Sequence, residues 1–213
     1  MLAVQQLAYA PSFYPLFHSI HFCLNPGQTL FLQGMNGSGK TSLMRLISGL
    51  IPCEQGQIIW YGKRIQCAAD YQGQLAYLGH QTGCFIQLSL WENLCWHYRL
   101  MSSAWNSKKK DDIKNHLNAA LDFAGLGAKK ELSFYRLSAG QKQRLHLARL
   151  WLSLHEHKHA LWLLDEPLAH IDQQAKALYF DLFKKFQQQQ GILIIASHQN
   201  QQEIDADYCV ALS

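Results

Sequence analysis

Eight residues, Gly34-Met35-Asn36-Gly37-Ser38-Gly39-Lys40-Thr41, satisfy the pattern G-x-x-x-x-G-K-[ST], whose chemistry is the cradling of a nucleoside triphosphate. Glycine has no Cβ, so at positions 34, 37 and 39 backbone N–H groups can turn toward phosphate oxygens. The spacing predicts Lys40 on the β- and γ-phosphates and the Thr41 hydroxyl on Mg²⁺, with Ser42 continuing the chain beside the phosphates. The apolar run Thr29-Leu30-Phe31-Leu32 before the loop reads as a buried strand. After it, Leu43, Leu46 and Ile47 recur at helical spacing, so the loop opens a helix whose positive dipole end meets the anion. A glycine-rich turn without a ligand would not require strand, Lys-Thr and helix together.

A second group lies far downstream. Leu161-Trp162-Leu163-Leu164 reads as a buried strand ending in Asp165-Glu166-Pro167, and two carboxylates in that position are costly unless they face a cation and a water. Asp165 is expected to hold Mg²⁺, directly or through water, and Glu166 to position or deprotonate an attacking water. Ile192-Leu193-Ile194-Ile195-Ala196 reads as a final buried strand delivering Ser197-His198, where an imidazole can donate to the γ-phosphate. Another strand, Leu75 to Gly79, delivers His80-Gln81, and the Gln81 amide oxygen can bind a metal-bound water. Taken alone, Gln81 reads equally as a polar loop residue and His198 as a hydrogen-bonded edge histidine.

The remaining elements must position these groups. Leu2–Leu7 and Ile20–Leu24 read as strands around the turn Asn25-Pro26-Gly27, a β-rich N-terminal part in which Tyr9, Phe13 and Tyr14 are alternatives for stacking on adenine or for packing on the sheet. Residues 84–135 carry Trp91, Trp96 and Trp105, and a helix with Ile113, Leu117, Leu121 and Ala124 on one face stops at Gly125. The tryptophans read either as local core or as a docking face. Ser138 and Gln141 form a capping box at the start of a helix running to Leu154. Asp172 is expected to cap the next helix, with apolar positions 175, 178, 179, 182 and 186 ahead of Gly191. His155-Glu156-His157-Lys158-His159 satisfies H-E-x-x-H, yet it falls between a helix end and a strand and reads as a polar loop rather than a zinc site.

With 213 residues the chain can build one α/β domain or a core plus a small subdomain, and two independent domains are not expected. The net charge of +4 is mild, and Lys108-Lys109-Lys110 runs into Asp111-Asp112, as a solvated helix start would. No nucleic-acid partner is indicated. The six cysteines contain no C-x-x-C pair, so they read as reduced thiols. No secretory leader and no run of 18 apolar residues occurs, so the chain reads as neither secreted nor membrane-spanning by itself.

In order and spacing, the loop at 34–41, Gln81, Leu137-Ser138-Ala139-Gly140-Gln141, Asp165-Glu166, Asp172 and His198 resemble the nucleotide-binding domain of ATP-binding cassette (ABC) proteins, over essentially the whole chain. The resemblance implies an α/β P-loop NTPase with a RecA-like core, an N-terminal antiparallel β subdomain and an α-helical signature subdomain. It implies a single domain over 1–213, with residues 1–82 and 155–213 as core and β subdomain and 83–154 as helical insertion and signature helix. Ser138, Gly140 and Gln141 would then contact ATP bound to a second copy, which makes the working unit a nucleotide-sandwich dimer.

Finer strings, Tyr77-Leu78-Gly79-His80-Gln81, Ala148-Arg149-Leu150-Trp151-Leu152-Ser153 and Ile171-Asp172, are similar to the haem-exporter ATP-binding subunits of bacterial cytochrome c maturation. That likeness implies a peripheral ATPase on the cytoplasmic face of the inner membrane, partnered by integral membrane subunits and, indirectly, a periplasmic haem chaperone. Met35 stands where such cassettes often carry Pro, and His170 where a small residue is usual. The competing reading is the ATPase of another exporter, for lipoprotein release or drugs. A GTPase or kinase would lack the Leu-Ser-Ala-Gly-Gln string, a chromosome-maintenance cassette would need a longer insertion, and a non-enzymatic adaptor would not keep Lys40, Asp165, Glu166 and His198.

Overall fold

Strands β1 (Leu2–Tyr9), β2 (Phe17–Leu24), β3 (Thr29–Gly34), β4 (Gln55–Trp60), β5 (Lys63–Arg64), β6 (Leu75–Leu78), β7 (Leu161–Asp165), β8 (Ile192–Ser197) and β9 (Tyr208–Leu212) divide between two sheets. The helices are α1 (Lys40–Ile47), α2 (Ala69–Gln72), α3 (Leu90–Met101), α4 (Lys110–Phe123), α5 (Ala139–His155) and α6 (Gln173–Gln188). The structure, a computed structural model, describes residues 1–11, 13–65, 69–79, 83–102, 108–156, 160–198 and 204–212. Two compact units arise, one of residues 1–80, 159–167 and 186–213, the other of residues 81–158 and 168–185.

The first unit holds both sheets. One is antiparallel in the order β2-β1-β4-β5, and the other is wholly parallel in the order β6-β7-β8-β3-β9. The alternation expected of a sheet with one wet face is visible in β2, whereas β7 and β8 are buried at every position. That is why the central strands read as continuous apolar runs rather than as alternating ones. Leu30, Leu32, Leu43, Leu46, Leu161, Leu163, Ile192 and Ile194 share one core with Leu2, Val4 and Leu24 of the antiparallel sheet. Trp162 faces elsewhere and stacks on Phe186 with ring centroids 3.8 Å apart and planes 5° from parallel.

Two sequence expectations need correction here. Residues 192–196 are not the final strand, because Tyr208–Leu212 adds β9 in parallel register along β3, pairing Leu30 with Tyr208 and Gly34 with Leu212. Its burial is sparse, as an edge strand's is, and a five-residue run with one buried position carries little periodic signal. Of the polar loop expected at 155–159, residues 155 and 156 are described: His155 is the last residue of α5 rather than part of a loop, and Glu156, in the turn after it, accepts from Tyr98 Oη at 2.7 Å and Lys108 Nζ at 2.6 Å. Burial pushes the Glu156 carboxyl up, but those two donors and the Lys108 charge outweigh it and hold it below the usual carboxylate range.

The second unit is helical. Its α3 starts with a capping box that sequence inspection missed, Ser89 with Glu92, and the buried Asn93 side chain donates to the carbonyls of Phe85, Leu88 and Ser89 while accepting from Phe85 N–H. One amide thus satisfies the loop that enters the helix. Helix α4 has no side-chain cap, but Asp111 and Asp112 sit in its first turn, where the dipole favours them. Ile113, Leu117, Ala120 and Leu121 form its buried stripe. From α5, Arg144 donates to Ala124 O at the end of α4 and to both Asp172 oxygens at 3.0 and 2.7 Å, while Asp172 caps α6 through Ala175 N–H. The capping role expected of Asp172 is therefore present, and Arg144 of α5 ties the end of α4 to the start of α6.

Candidate functional site

Strands β7, β8 and β3 are adjacent and parallel, so their carboxyl ends fall on one edge of the sheet. The register sets Asp165 opposite Ala196, and Ser197 opposite Gln33. Because each strand ends there, the phosphate-type loop, the two carboxylates and His198 converge without contact in sequence. They surround a cleft of about 260 Å³ lined by Leu16, Asn36, Gly37, Gly39, Lys40, Thr41, Ser42, Asp165 and Glu166.

Packing requires two of the loop's glycines, and one buried hydroxyl in the loop is left without a partner among the described residues. Gly39 has φ +97°, and a Cβ there would lie 2.9 Å from Leu16 and 3.0 Å from Phe17. Both the backbone conformation and the space exclude any other residue. At Gly34 the reason is space alone: a Cβ would sit 2.6 Å from the carbonyl of Leu212, at the end of the strand that sequence inspection did not find. Ser38 Oγ is buried with no hydrogen-bond partner among the described residues, which is costly unless an acceptor enters. Lys40 opens α1, is 7% exposed, and donates to Gly34 O at 2.7 Å and Met35 O at 3.0 Å. Met35 itself is 83% exposed.

Opposite the loop, Thr41 Oγ1 donates to Asp165 Oδ2 at 2.6 Å, and Asp165 is buried. Glu166 has φ +53°, a left-handed conformation that strains a residue with a side chain. Its N–H donates to Ala196 O at 2.8 Å. Its carboxylate accepts from Ser197 Oγ, His198 N–H and His198 Nδ1, each at 2.9 Å. An ionised carboxylate only accepts, so the hydrogen in the last contact sits on Nδ1 and Nε2 is the ring nitrogen left to a ligand. Near this end of the sheet, burial and then the charge of Asp165 push the Tyr77 phenol up, against a hydrogen bond from Arg45.

The structure thus brings together Gly34 to Ser42, Asp165, Glu166 and His198. Gln81 lies outside the described residues, as do His157 and His159 of the H-E-x-x-H string. Tyr9 packs on the core, tilted against Phe17 at 6.1 Å, whereas Phe13 and Tyr14 are exposed. Ser138, Gly140 and Gln141 belong to the helical unit. There Ser138 Oγ accepts from Gln141 N–H at 3.3 Å and Gln141 Oε1 accepts from Ser138 N–H at 3.1 Å, the expected capping box. Gly140 has a further role that sequence inspection missed: a Cβ there would lie 2.8 Å from the carbonyl of His170, whose own φ is +59°. Ser197 was also missed, because a serine at a strand end carries no motif.

Residues 17–169 match the ABC transporter family. The chain is 39% identical over 201 residues to the cytochrome c biogenesis ATP-binding export protein of Vibrio cholerae, spanning 94% of this chain and 92% of that relative. It is 39% identical over 188 residues to the protein of the same name from Pasteurella multocida, spanning 88% and 83% of the two chains. In fold it is similar to a dimeric ATP-binding cassette in a post-hydrolysis state bound to ADP and Pi, with a TM-score of 0.85 at 16% identity over 100% of this chain and 94% of that one. The loop, the paired carboxylates and the histidine occupy one sheet edge in a chain of this descent: it belongs to the ABC transporter family, as an ATPase of the branch that includes the cytochrome c biogenesis ATP-binding export proteins.

Proposed function

We propose that the chain hydrolyses ATP to drive a membrane complex of cytochrome c biogenesis, working at the cytoplasmic face of a bacterial inner membrane and leading to release of a haem-loaded periplasmic chaperone. The observation that carries the catalytic half is the three-donor clamp on Glu166 beside the Thr41–Asp165 pair. The biological half rests on the names of the relatives, which also favour this reading over lipoprotein or drug export.

In this reading the loop amides of residues 34–42 and Lys40 hold the triphosphate, with Lys40 exchanging its two carbonyl partners for phosphate oxygens. The Thr41 hydroxyl and Asp165 carboxylate are hard oxygen donors already 2.6 Å apart, so they fit Mg²⁺, with Gln81 as a third group. Bound there, Mg²⁺ would neutralise charge on the β- and γ-phosphate oxygens. Glu166 orients a water whose oxygen bonds to the γ-phosphorus as the bond to the β–γ bridging oxygen breaks; a water proton passes to Glu166. His198, giving Nδ1–H to Glu166, donates from Nε2 to the γ-phosphate when its ring is in the imidazolium form.

Ser138 and Gly140 complete the site on a second copy, so ATP should join two chains by mass action. Sedimentation of Glu166→Gln with ATP and Mg²⁺ is expected to show a dimer that Ser138→Arg abolishes. A monomer at saturating ATP would count against the sandwich.

The integral membrane subunits need a surface on the helical unit. There Phe85, Ile86, Trp96 and Tyr135 are 51%, 60%, 45% and 59% exposed, with Phe85 edge-on to Trp96 at 5.8 Å and Tyr135 N–H bonded to Ile86 O. Trp91, by contrast, is half-buried. Trp96→Glu is therefore expected to abolish recruitment to membranes while leaving the ATPase of the isolated chain near wild type. Unchanged recruitment, scored by co-purification with membranes, would move the docking face elsewhere.

A further inference from the structure

We propose that His116 is an acid-sensitive lock in the helical unit: neutral, its ring packs the junction of α3, α4 and α5, and protonated, it rivals Lys108 for the carboxylate that holds the junction together. That carboxylate is Glu156. Its Oε1 accepts from Tyr98 Oη of α3 at 2.7 Å and from Lys108 Nζ, just ahead of α4, at 2.6 Å, while Oε2 accepts from Ser102 Oγ at 3.3 Å. Lys108 Nζ also donates to Tyr98 Oη at 2.9 Å. Both lone-pair directions of Oε1 are therefore taken by donors from two other segments. His116 Nε2 stands 3.4 Å from the same oxygen, buried and without a hydrogen-bond partner among the described residues.

The His116 ring lies among others, its centroid 5.6 Å from that of Tyr98, 5.1 Å from Trp151 and 6.4 Å from His155, which is itself stacked on Trp151. The titratable groups facing it are thus Tyr98 of α3, Lys108 ahead of α4, and His155 and Glu156 at the end of α5. Burial, the largest influence, pushes the imidazole below its ordinary value; Glu156 draws it up, and Lys108 and His155 push it down again. The folded state favours the neutral ring. Stability tied to His116 is therefore present above the ordinary histidine value of about 6.5, is lost as pH falls through it, and levels off below the folded value. What loosens is the packing of α5, the helix that Ser138 caps, against α3 and α4.

The test is unfolding of the full chain, without nucleotide, between about pH 7.5 and about pH 5.5, for wild type, His116→Phe, which keeps a ring, and His116→Gln, with the His116 imidazole followed by NMR in wild type and in Lys108→Ala. His146, buried and pushed down to about 3, is common to all of them, so its share of the acid sensitivity cancels. The wild-type folded-to-unfolded ratio is expected to fall more steeply on acidification than either variant's, by up to about tenfold per pH unit, the worth of one proton. The His116 ring should titrate below about 6.5 in wild type and at a higher pH in Lys108→Ala, where its rival is gone. Parallel profiles for wild type and the folded His116 variants would overturn the proposal. So would a wild-type midpoint at or above about 6.5, or one that Lys108→Ala leaves unmoved, since a ring that serves only as packing has no rival for Glu156.

Discussion

Glu166→Gln is expected to lower ATP turnover by roughly 10²- to 10⁴-fold, the usual worth of a positioned general base, with nucleotide affinity close to wild type. The side chain keeps its size and can still meet Ser197 and His198, but an amide cannot accept the water's proton and presents N–H where one oxygen was. Phosphate release under single-turnover conditions, with affinity taken from a fluorescent nucleotide, checks both halves. Because Lys40, Thr41 and Asp165 stay in place, a loss of binding equal to the loss of turnover would show that Glu166 shapes the cleft rather than the chemistry. Equal turnover by variant and wild type would remove Glu166 from the mechanism altogether.

The second large effect is on stability. Trp162 is fully buried in β7, stacked face to face on Phe186, and three residues ahead of Asp165. Trp162→Ala removes that ring and leaves a cavity that a strand paired on both sides cannot close, so the cost should be about 3–5 kcal/mol. For a chain of this size that corresponds to a melting temperature lower by roughly 6–20 °C. Calorimetry checks it, and a shift under about 3 °C would mean that the site collapses around the missing ring.

What the sequence disclosed and what it withheld have physical causes. The loop at 34–41 and the Asp165-Glu166 strand end were legible because their chemistry constrains residue type at fixed spacing, and the helix at 110–123 because a buried stripe repeats every turn. The capping boxes are short local patterns, legible at Ser138-Gln141 and overlooked at Ser89-Glu92. Strand β9 was not legible, since an edge strand needs little burial, and with it went the reason for Gly34. The clamp on Glu166 was only half legible: His198 could be suspected from its place after an apolar run, but Ser197 matters through a register between strands 31 residues apart, which no local pattern encodes. Gly140 looked like a ligand-binding glycine, and the carbonyl of His170 supplies a packing reason that only the fold reveals.

If ATP handled at this cleft powers the making of c-type cytochromes, disabling Lys40 must stop their production in cells. Lys40→Ala removes the ammonium proposed to hold the triphosphate while leaving the exposed face at Phe85 and Trp96 untouched, so the variant should still assemble with its proposed membrane partners. In cells whose only copy is Lys40→Ala, haem staining of c-type cytochromes is expected to vanish, with haem left on its periplasmic carrier. Normal amounts of holo-cytochrome c in those cells would contradict the proposed function, whatever the purified ATPase does.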